Sequence, residues 1–295
     1  MRISAVIPTY NHAHYLPQAV ESVLAQTRPP DEVIVVDDGS CDETPAVVQA
    51  YAPGVRYIRQ ENRGLSAARN TGMREASNEW VAFLDADDWW LPDKLRMQEA
   101  ALAANPSAVL CYCGVLYHHS DGTTSERRAT NPGSVMPELR LRNCVTGSGS
   151  AVCLRRSVLM ALGGFGEHLT AYEDWDAWIR LAVRYPFTAV SEPLACIRVT
   201  PNSMSQNLDR MLRNLEIVCN TSILEGLSGW RREFWRRRLL SREMFRMAIL
   251  AREAGSPRLR KLLWDSIRAW PLPGEVPKRS RFIALELFRY LGVGL

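Results

Sequence analysis

Trp80-Val81-Ala82-Phe83-Leu84-Asp85-Ala86-Asp87-Asp88 is an unbroken apolar run that opens onto three carboxylates. Its apolar residues do not alternate with polar ones. The strand they predict is therefore buried on both faces, as in a parallel sheet covered by helices. Comparable runs stand at Ile3–Ile7, Glu32–Val36, Val55–Arg59 and Ala108–Leu116. Helical patterns fill the intervals at Tyr15–Ala25, Thr44–Ala50, Ala67–Glu75 and Lys94–Ala104. This alternation predicts an α/β fold with a mostly parallel sheet flanked by helices. In such sheets ligands sit at the carboxyl ends of strands, so the residues following each run are the candidates for chemistry.

The bulk composition fits that reading. The 295 residues are 46% hydrophobic and 23% charged, which excludes a disordered chain. They suffice for one large domain and a smaller region. The run after Arg2 ends at Pro8, too soon for a signal peptide, and Asn105-Pro106-Ser107 interrupts the longest uncharged stretch, so no transmembrane helix is expected. Seven cysteines without a C-x-x-C pair suit a reducing cytoplasm and predict no zinc site. Lys and Arg number 18 against 9 acidic residues in 206–295, but 18 against 23 in 1–205. An acidic front and a basic, helical tail predict two parts with different tasks.

After the first strand comes Pro8-Thr9-Tyr10-Asn11, able to hydrogen-bond a base or sugar edge, or simply a polar loop. After the second comes Asp37-Asp38-Gly39-Ser40. Here binding to a base or ribose and capping of the next helix can both hold. After the third, Asn62-Arg63-Gly64 leads into a helix carrying Arg69, which suits either phosphate charge or a structural ion pair. Asp85-Ala86-Asp87-Asp88 is the strongest signal. Three carboxylates so close call for a cation or solvent, and hard oxygen ligands favour Mg²⁺ or Mn²⁺. Last, Gly163-Gly164-Phe165 precedes Tyr172-Glu173-Asp174-Trp175-Asp176. There an acid could serve as general base, or could merely stabilise a helix start. The five histidines show no metal-ligand spacing, and no G-x-S-x-G elbow is present.

In this order, over residues 1–205, the motifs resemble glycosyltransferase family 2, with its Rossmann-like GT-A nucleotide-sugar-binding fold. The resemblance implies an inverting, metal-dependent transfer from a nucleotide-diphosphate sugar, commonly a UDP-sugar, to a saccharide or lipid-linked hydroxyl acceptor in cell-surface polysaccharide or glycolipid assembly. It implies donor contacts from Pro8, Thr9, Asp38, Arg69 and Asp85, and a Mg²⁺ or Mn²⁺ ion on Asp87. It also implies Asp174 as catalytic base, with Gly163, Gly164, Phe165 and Glu173 on the acceptor side. One departure stands out: Thr200 occupies the place where many relatives carry a histidine near the donor phosphates.

The division expected is a catalytic domain at 1–205 and a basic helical region at 206–295. Two readings of the tail stay open: a helical cap with a solvated arginine face, or attachment to an anionic membrane. The expected location is the cytoplasm, with peripheral contact at the inner membrane face under the second reading. No nucleic-acid motif appears. A sugar-nucleotide pyrophosphorylase is disfavoured because Pro8-Thr9-Tyr10-Asn11 is not a Gly-rich basic loop. The rival from another class is a non-catalytic nucleotide-sugar-binding module that recruits partners through its tail.

Overall fold

The structure, a computed structural model, describes residues 1–130, 133, 135–200, 207–272, 279–280 and 282–283. The described residues gather into two compact units: Met1–Leu139 with Asn143–Met204, and Arg140–Arg142 with Ser205–Leu295.

In the first unit, β1 (Ile3–Thr9) pairs in parallel with β2 (Glu32–Asp37) and with β4 (Trp80–Phe83), and β2 pairs in parallel with β3 (Arg56–Arg59). Every residue of β1 and β4 is buried, which is why these strands read as unbroken apolar runs. The helices between them are α1 (Leu16–Leu24), α2 (Thr44–Gln49), α3 (Leu65–Glu75) and α4 (Lys94–Ala104). In α1, Pro17 opens the first turn, where its missing N–H costs nothing, and Leu16, Ala19, Val20 and Val23 form the buried stripe.

The other half of the sheet is mixed. The order is β3-β2-β1-β4-β8-β6-β9-β5. The short β8 (Val152–Arg155) runs antiparallel to both β4 and β6 (Leu110–His119). β9 (Phe187–Val199) is parallel to β6, while the two-residue β5 (Trp89–Trp90) and β7 (Thr124–Arg127) pair antiparallel at the margin. Continuous hydrophobicity correctly marks β6 as a buried strand. It does not reveal that the four-residue β8 inserts between β6 and β4. A short helix α5 (Met136–Leu139), a 3₁₀ turn at Ser148–Ala151, α6 (Arg156–Ala161) and α7 (Glu173–Ala182) complete the unit.

The second unit contains α8 (Leu208–Asn220), α9 (Gly229–Glu253) and α10 (Leu259–Ala269). α9 and α10 form a hairpin in which Phe234 meets Trp270 edge-on and Ser266 donates to the Ser241 carbonyl oxygen. Asn131, Pro132, Pro273, Pro277 and the stretch following Thr200 lie outside the described residues.

Candidate active site

The carboxyl ends of β1, β2 and β4 carry Thr9, Asp37-Asp38 and Asp85–Asp88. Pro8 is buried within β1, opposite Val36. Thr9 is also buried, and its hydroxyl has no hydrogen-bond partner among the described residues. A buried hydroxyl left unpaired costs stability unless a ligand or water meets it. Asp38 holds the loop ahead of α3. Its Oδ1 accepts from Gln60 Nε2 at 2.6 Å and from the Arg63 backbone N–H at 3.0 Å, and its Oδ2 accepts from the Gly64 N–H at 2.7 Å. Asp37 is engaged separately, accepting from the Ser40 N–H and the Tyr57 hydroxyl.

Arg69, fully buried on α3, is the hub. Its Nη1 donates to Glu173 at 3.0 Å, and its Nη2 donates to both oxygens of Asp85 at 2.8 and 3.0 Å. Of the two uses left open by the sequence, an ion pair is what Arg69 makes here. Burial opposes its charge, but Asp85, Glu173 and Asp174 outweigh burial and raise its pKa. Gly149 lies against the flat guanidinium: a Cβ there would come within 2.8 Å of Nη2. On the interior side, Phe165 lies under Arg69, 5.4 Å from ring centroid to guanidinium carbon, and packs edge-on against Phe83 and Trp178.

The glycine turn before Phe165 is fixed to the same helix. Asn70 accepts from the Phe165 N–H and donates to the Phe165 carbonyl oxygen. Gly164 has φ +71°, and an added Cβ would lie 2.5 Å from Asn70 Oδ1, so no other residue fits without a shift. Gly163, Gly164 and Phe165 are thus tied to α3 through Asn70 and to the last turn of α7 through Arg180, which donates to the carbonyl oxygens of Leu162 and Gly164.

At the start of α7, Tyr172 adopts a left-handed backbone, φ +62°. Such a conformation is strained for a bulky residue and clusters at functional sites. Glu173 follows, buried, then the half-buried Asp174. Asp174 accepts from its neighbour Trp175 N–H at 2.7 Å, from Asn143 Nδ2 at 3.0 Å and from Ser148. Burial raises its pKa and Asp85 adds to that, against the lowering effects of Arg69 and the hydrogen bonds. Glu173 is also raised, by burial and then by Asp174.

The carboxylates after β4 differ in environment. Asp88 is buried, accepting from Ser150 Oγ at 2.6 Å and from the Arg198 N–H at 2.9 Å. Burial and the neighbouring Asp87 and Asp85 push its pKa well up. Asp87 is half-buried. Burial and then Asp85 raise its pKa, while His12 and Arg198 pull the other way. Among the described residues no three His, Cys, Asp or Glu side chains converge as a metal cage. The donor set that is present, carboxylate oxygens with excess negative charge, matches a hard divalent ion whose remaining ligands come from elsewhere.

Four contributors have little sequence signal. Ser150 accepts from the Asp85 N–H, donates to Asp88, and is braced by Trp90 Nε1 on its carbonyl. Asn143 stands alone in an unremarkable stretch, and Arg198 lies two residues before Thr200, in the stretch that the resemblance places near the donor phosphates, without a role of its own. Gly149 is conspicuous only as part of the Gly147–Gly149 turn.

Residues 4–163 match the model of Glycosyl transferase family 2. The chain belongs to this family. The match ends before Glu173 and Asp174. The chain is 32% identical over 216 residues to the putative teichuronic acid biosynthesis glycosyltransferase TuaG of Bacillus subtilis, covering 70% of this chain and 82% of that protein. It spans only 31% of the length of an uncharacterized glycosyltransferase of Rickettsia felis and 66% of one of Haemophilus influenzae. By fold, this family 2 chain is similar to S. aureus TarS 1–349, with TM-score 0.67 and 20% identity over 95% of this chain and 82% of that one. It is likewise similar to the mannosyltransferase PcManGT of Pyrobaculum calidifontis, solved with GDP-Man and Mn²⁺, with TM-score 0.62 and 21% identity over 97% and 86% of the two chains. TarS has also been solved with UDP and with UDP-GlcNAc.

Proposed function

We propose that this protein is an inverting glycosyltransferase that moves a sugar from a nucleotide-diphosphate donor, with UDP-sugars first in line, to a hydroxyl acceptor in cell-surface polysaccharide or glycolipid assembly. The observation that carries the reading is the meeting of Asp85 and Glu173-Asp174 around one buried arginine, beside Asp87 at the end of β4. This brings a donor-side carboxylate cluster and a candidate base together in a family 2 chain. The catalytic domain is taken as 1–205 and the basic helical region as 206–295.

Residue roles follow from chemistry. The unpartnered Thr9 hydroxyl and Asp38 face the base, with Pro8 shaping the edge; UDP and GDP in the related structures above support a nucleotide there. Arg69 acts by fixing Asp85, the ribose contact, relative to Glu173 and Asp174. Asp174 removes the acceptor proton. Its raised pKa makes the carboxylate a stronger base than an ordinary aspartate, a contribution of about 10²–10⁴ in rate. Gly163–Phe165 and Glu173 hold the acceptor side in shape. Asp87 would hold a Mg²⁺ or Mn²⁺ ion, which would supply Lewis-acid charge for the departing diphosphate.

The test is a thermal-shift screen of UDP, GDP and their sugars with Mn²⁺ and with EDTA, on the wild type and Asp87→Ala. A Mn²⁺-dependent rise of the wild type that Asp87→Ala lacks is expected. Equal responses of the two proteins would remove Asp87 from the metal site.

For the basic region, exposure favours the membrane reading. Trp230 is 74% exposed, Trp264 64% and Leu272 59%, more than any other large hydrophobic side chain among the described residues. On α10 the row Arg260, Trp264, Arg268 repeats every four residues, so an aromatic ring stands between two cations on one helix face. That chemistry suits an anionic lipid surface, where a lipid-linked acceptor would be met. No helix among the described residues is long and apolar enough to cross a membrane.

A further inference from the structure

Arg198 lies on β9 beside the carboxylate cluster, and the transfer chemistry above does not use it. Its backbone N–H donates to Asp88. Its side chain folds back: Nε donates to the Asp87 carbonyl oxygen at 3.1 Å, and Nη2 donates to Gln18 Oε1 at 2.8 Å. The guanidinium carbon lies 4.5 Å from the Tyr15 ring centroid and 5.2 Å from that of Trp89. The planar group is therefore clamped from two sides, by α1 and its preceding residue, and by β5.

What this clamp leaves unused matters. The bond to residue 87 goes to the main-chain oxygen and not to the carboxylate. Arg198 makes no ion pair within 4 Å among the described residues. Its Nη1 accounts for none of its hydrogen bonds. The other buried cation of the site, Arg69, is fully committed to Asp85 and Glu173. Arg198 is thus a half-buried positive charge, held in one orientation, at the edge of a carboxylate cluster and without an anion of its own. A guanidinium already immobilised loses little entropy when it binds, and its planar fork matches phosphate oxygens.

We propose that Arg198 is a phosphate-binding residue that contacts the diphosphate of the nucleotide donor. This rests on the donor-site reading given above. It adds that the chain carries its own fixed cation for the diphosphate, besides whatever ion Asp87 holds.

The experiment measures affinities of the full chain for UDP, GDP, UMP and GMP in Mn²⁺, for wild type, Arg198→Gln and Arg198→Lys. With the nucleotide base that binds, Arg198→Gln should weaken the diphosphate by about ten- to hundredfold, the loss of a charged hydrogen bond. The monophosphate should change by less than threefold, and Arg198→Lys, which keeps the charge but loses the planar fork and the stacking, should recover only part of the diphosphate affinity. Unchanged diphosphate binding by Arg198→Gln would overturn the proposal. So would an equal loss for mono- and diphosphate, which would make Arg198 a strut for the Asp87 loop. A wild type that binds none of the four would instead overturn the donor-site reading itself.

Discussion

The Arg69 guanidinium lies 3.0 Å from the Glu173 carboxylate, 104 residues further along the chain, and both groups are buried. Asp85 closes the arrangement from the other side at 2.8 Å. Two acids and one base leave a surplus negative charge in a dry place. The geometry is stable only while the arginine spans both acids. Arg69→Met removes the cation and keeps the bulk, so it leaves the buried Glu173 and the partly exposed Asp85 uncompensated, at a cost of about 3–5 kcal/mol. We expect the melting temperature to fall by roughly 10 °C for a unit of this size. Arg69→Lys, which keeps the charge but cannot span both partners with a planar fork, should fall between. Equal stability of Arg69→Met and wild type in denaturant titration would show that the ion pairs do not hold the site together.

The Asp174 carboxylate is the proposed base, and its oxygens accept from the Trp175 N–H and from Asn143 Nδ2. An amide in its place keeps the first bond, while Asn143, whose Oδ1 has no partner among the described residues, can turn to accept from the new NH2. Asp174→Asn should lower turnover by about 10²–10⁴-fold while donor affinity and melting temperature stay near wild type. The pH dependence has a definite sign. The base works ionised, and burial raises its pKa. Activity should therefore fall as pH drops, with a midpoint above the ordinary aspartate value of about 3.9. A pH profile of kcat/KM that stays flat through and above that value, or full activity of Asp174→Asn, would exclude this role.

Much of the fold could be read from the sequence because burial leaves a local record. β1 and β4 are apolar throughout because both faces are covered, and α4 begins and ends where its pattern predicts, at Lys94 and Ala104. Partners leave no such record. Nothing local to Val152–Arg155 shows that it inserts between β4 and β6. Nothing near Ser150 shows that its hydroxyl and backbone tie Asp85, Asp88 and Trp90 together. Arg69 is the intermediate case. The sequence places a guanidinium near the site but leaves open whether it meets phosphate or carboxylate, because Glu173 approaches only through the tertiary fold. Gly163-Gly164 was visible as a tight turn, yet its tie to Asn70 depends on α3 and α7 being neighbours.

Lys94 is fully buried under the site with no carboxylate partner. It donates to Gln98 at 2.9 Å and lies 3.9 Å from the centroid of Trp90, the ring that braces Ser150. Burial lowers its pKa, the neighbouring thiols of Cys113, Cys153 and Cys111 offsetting this only in part. In the unfolded chain the same amine titrates near about 10.4. Between the lowered folded value and that one, the unfolded state binds the extra proton, so raising the pH favours folding. Comparison with Lys94→Met removes the titrations common to both proteins and leaves that of Lys94 together with its pull on the nearby thiols, which acts in the same direction. The stability difference should move in favour of the wild type as pH rises from 7 to about 10. Parallel stability profiles in urea across that range would mean that Lys94 titrates alike in both states.

The α9–α10 hairpin leaves Trp230 and Trp264 mostly exposed, while Phe245 is buried. Arg237 donates to the carbonyl oxygens of Ala269 and Arg268, and Arg231 lies over the Trp230 ring. An exposed tryptophan in water gains nothing from its position, but at a lipid interface its ring is buried and the flanking cations meet headgroups. The unmodified protein should therefore co-sediment with vesicles containing phosphatidylglycerol at low salt and poorly with neutral phosphatidylcholine vesicles. Binding should weaken as salt rises, since each surface cation contributes about 1 kcal/mol that is screened within a Debye length. Trp230→Ser combined with Trp264→Ser should reduce binding at least tenfold and leave the melting temperature unchanged, because both side chains are mostly exposed. Retained binding by that double variant would assign the lipid contact to charge alone. If the wild type failed to bind even at low salt, the basic region would instead be a solvated helical surface.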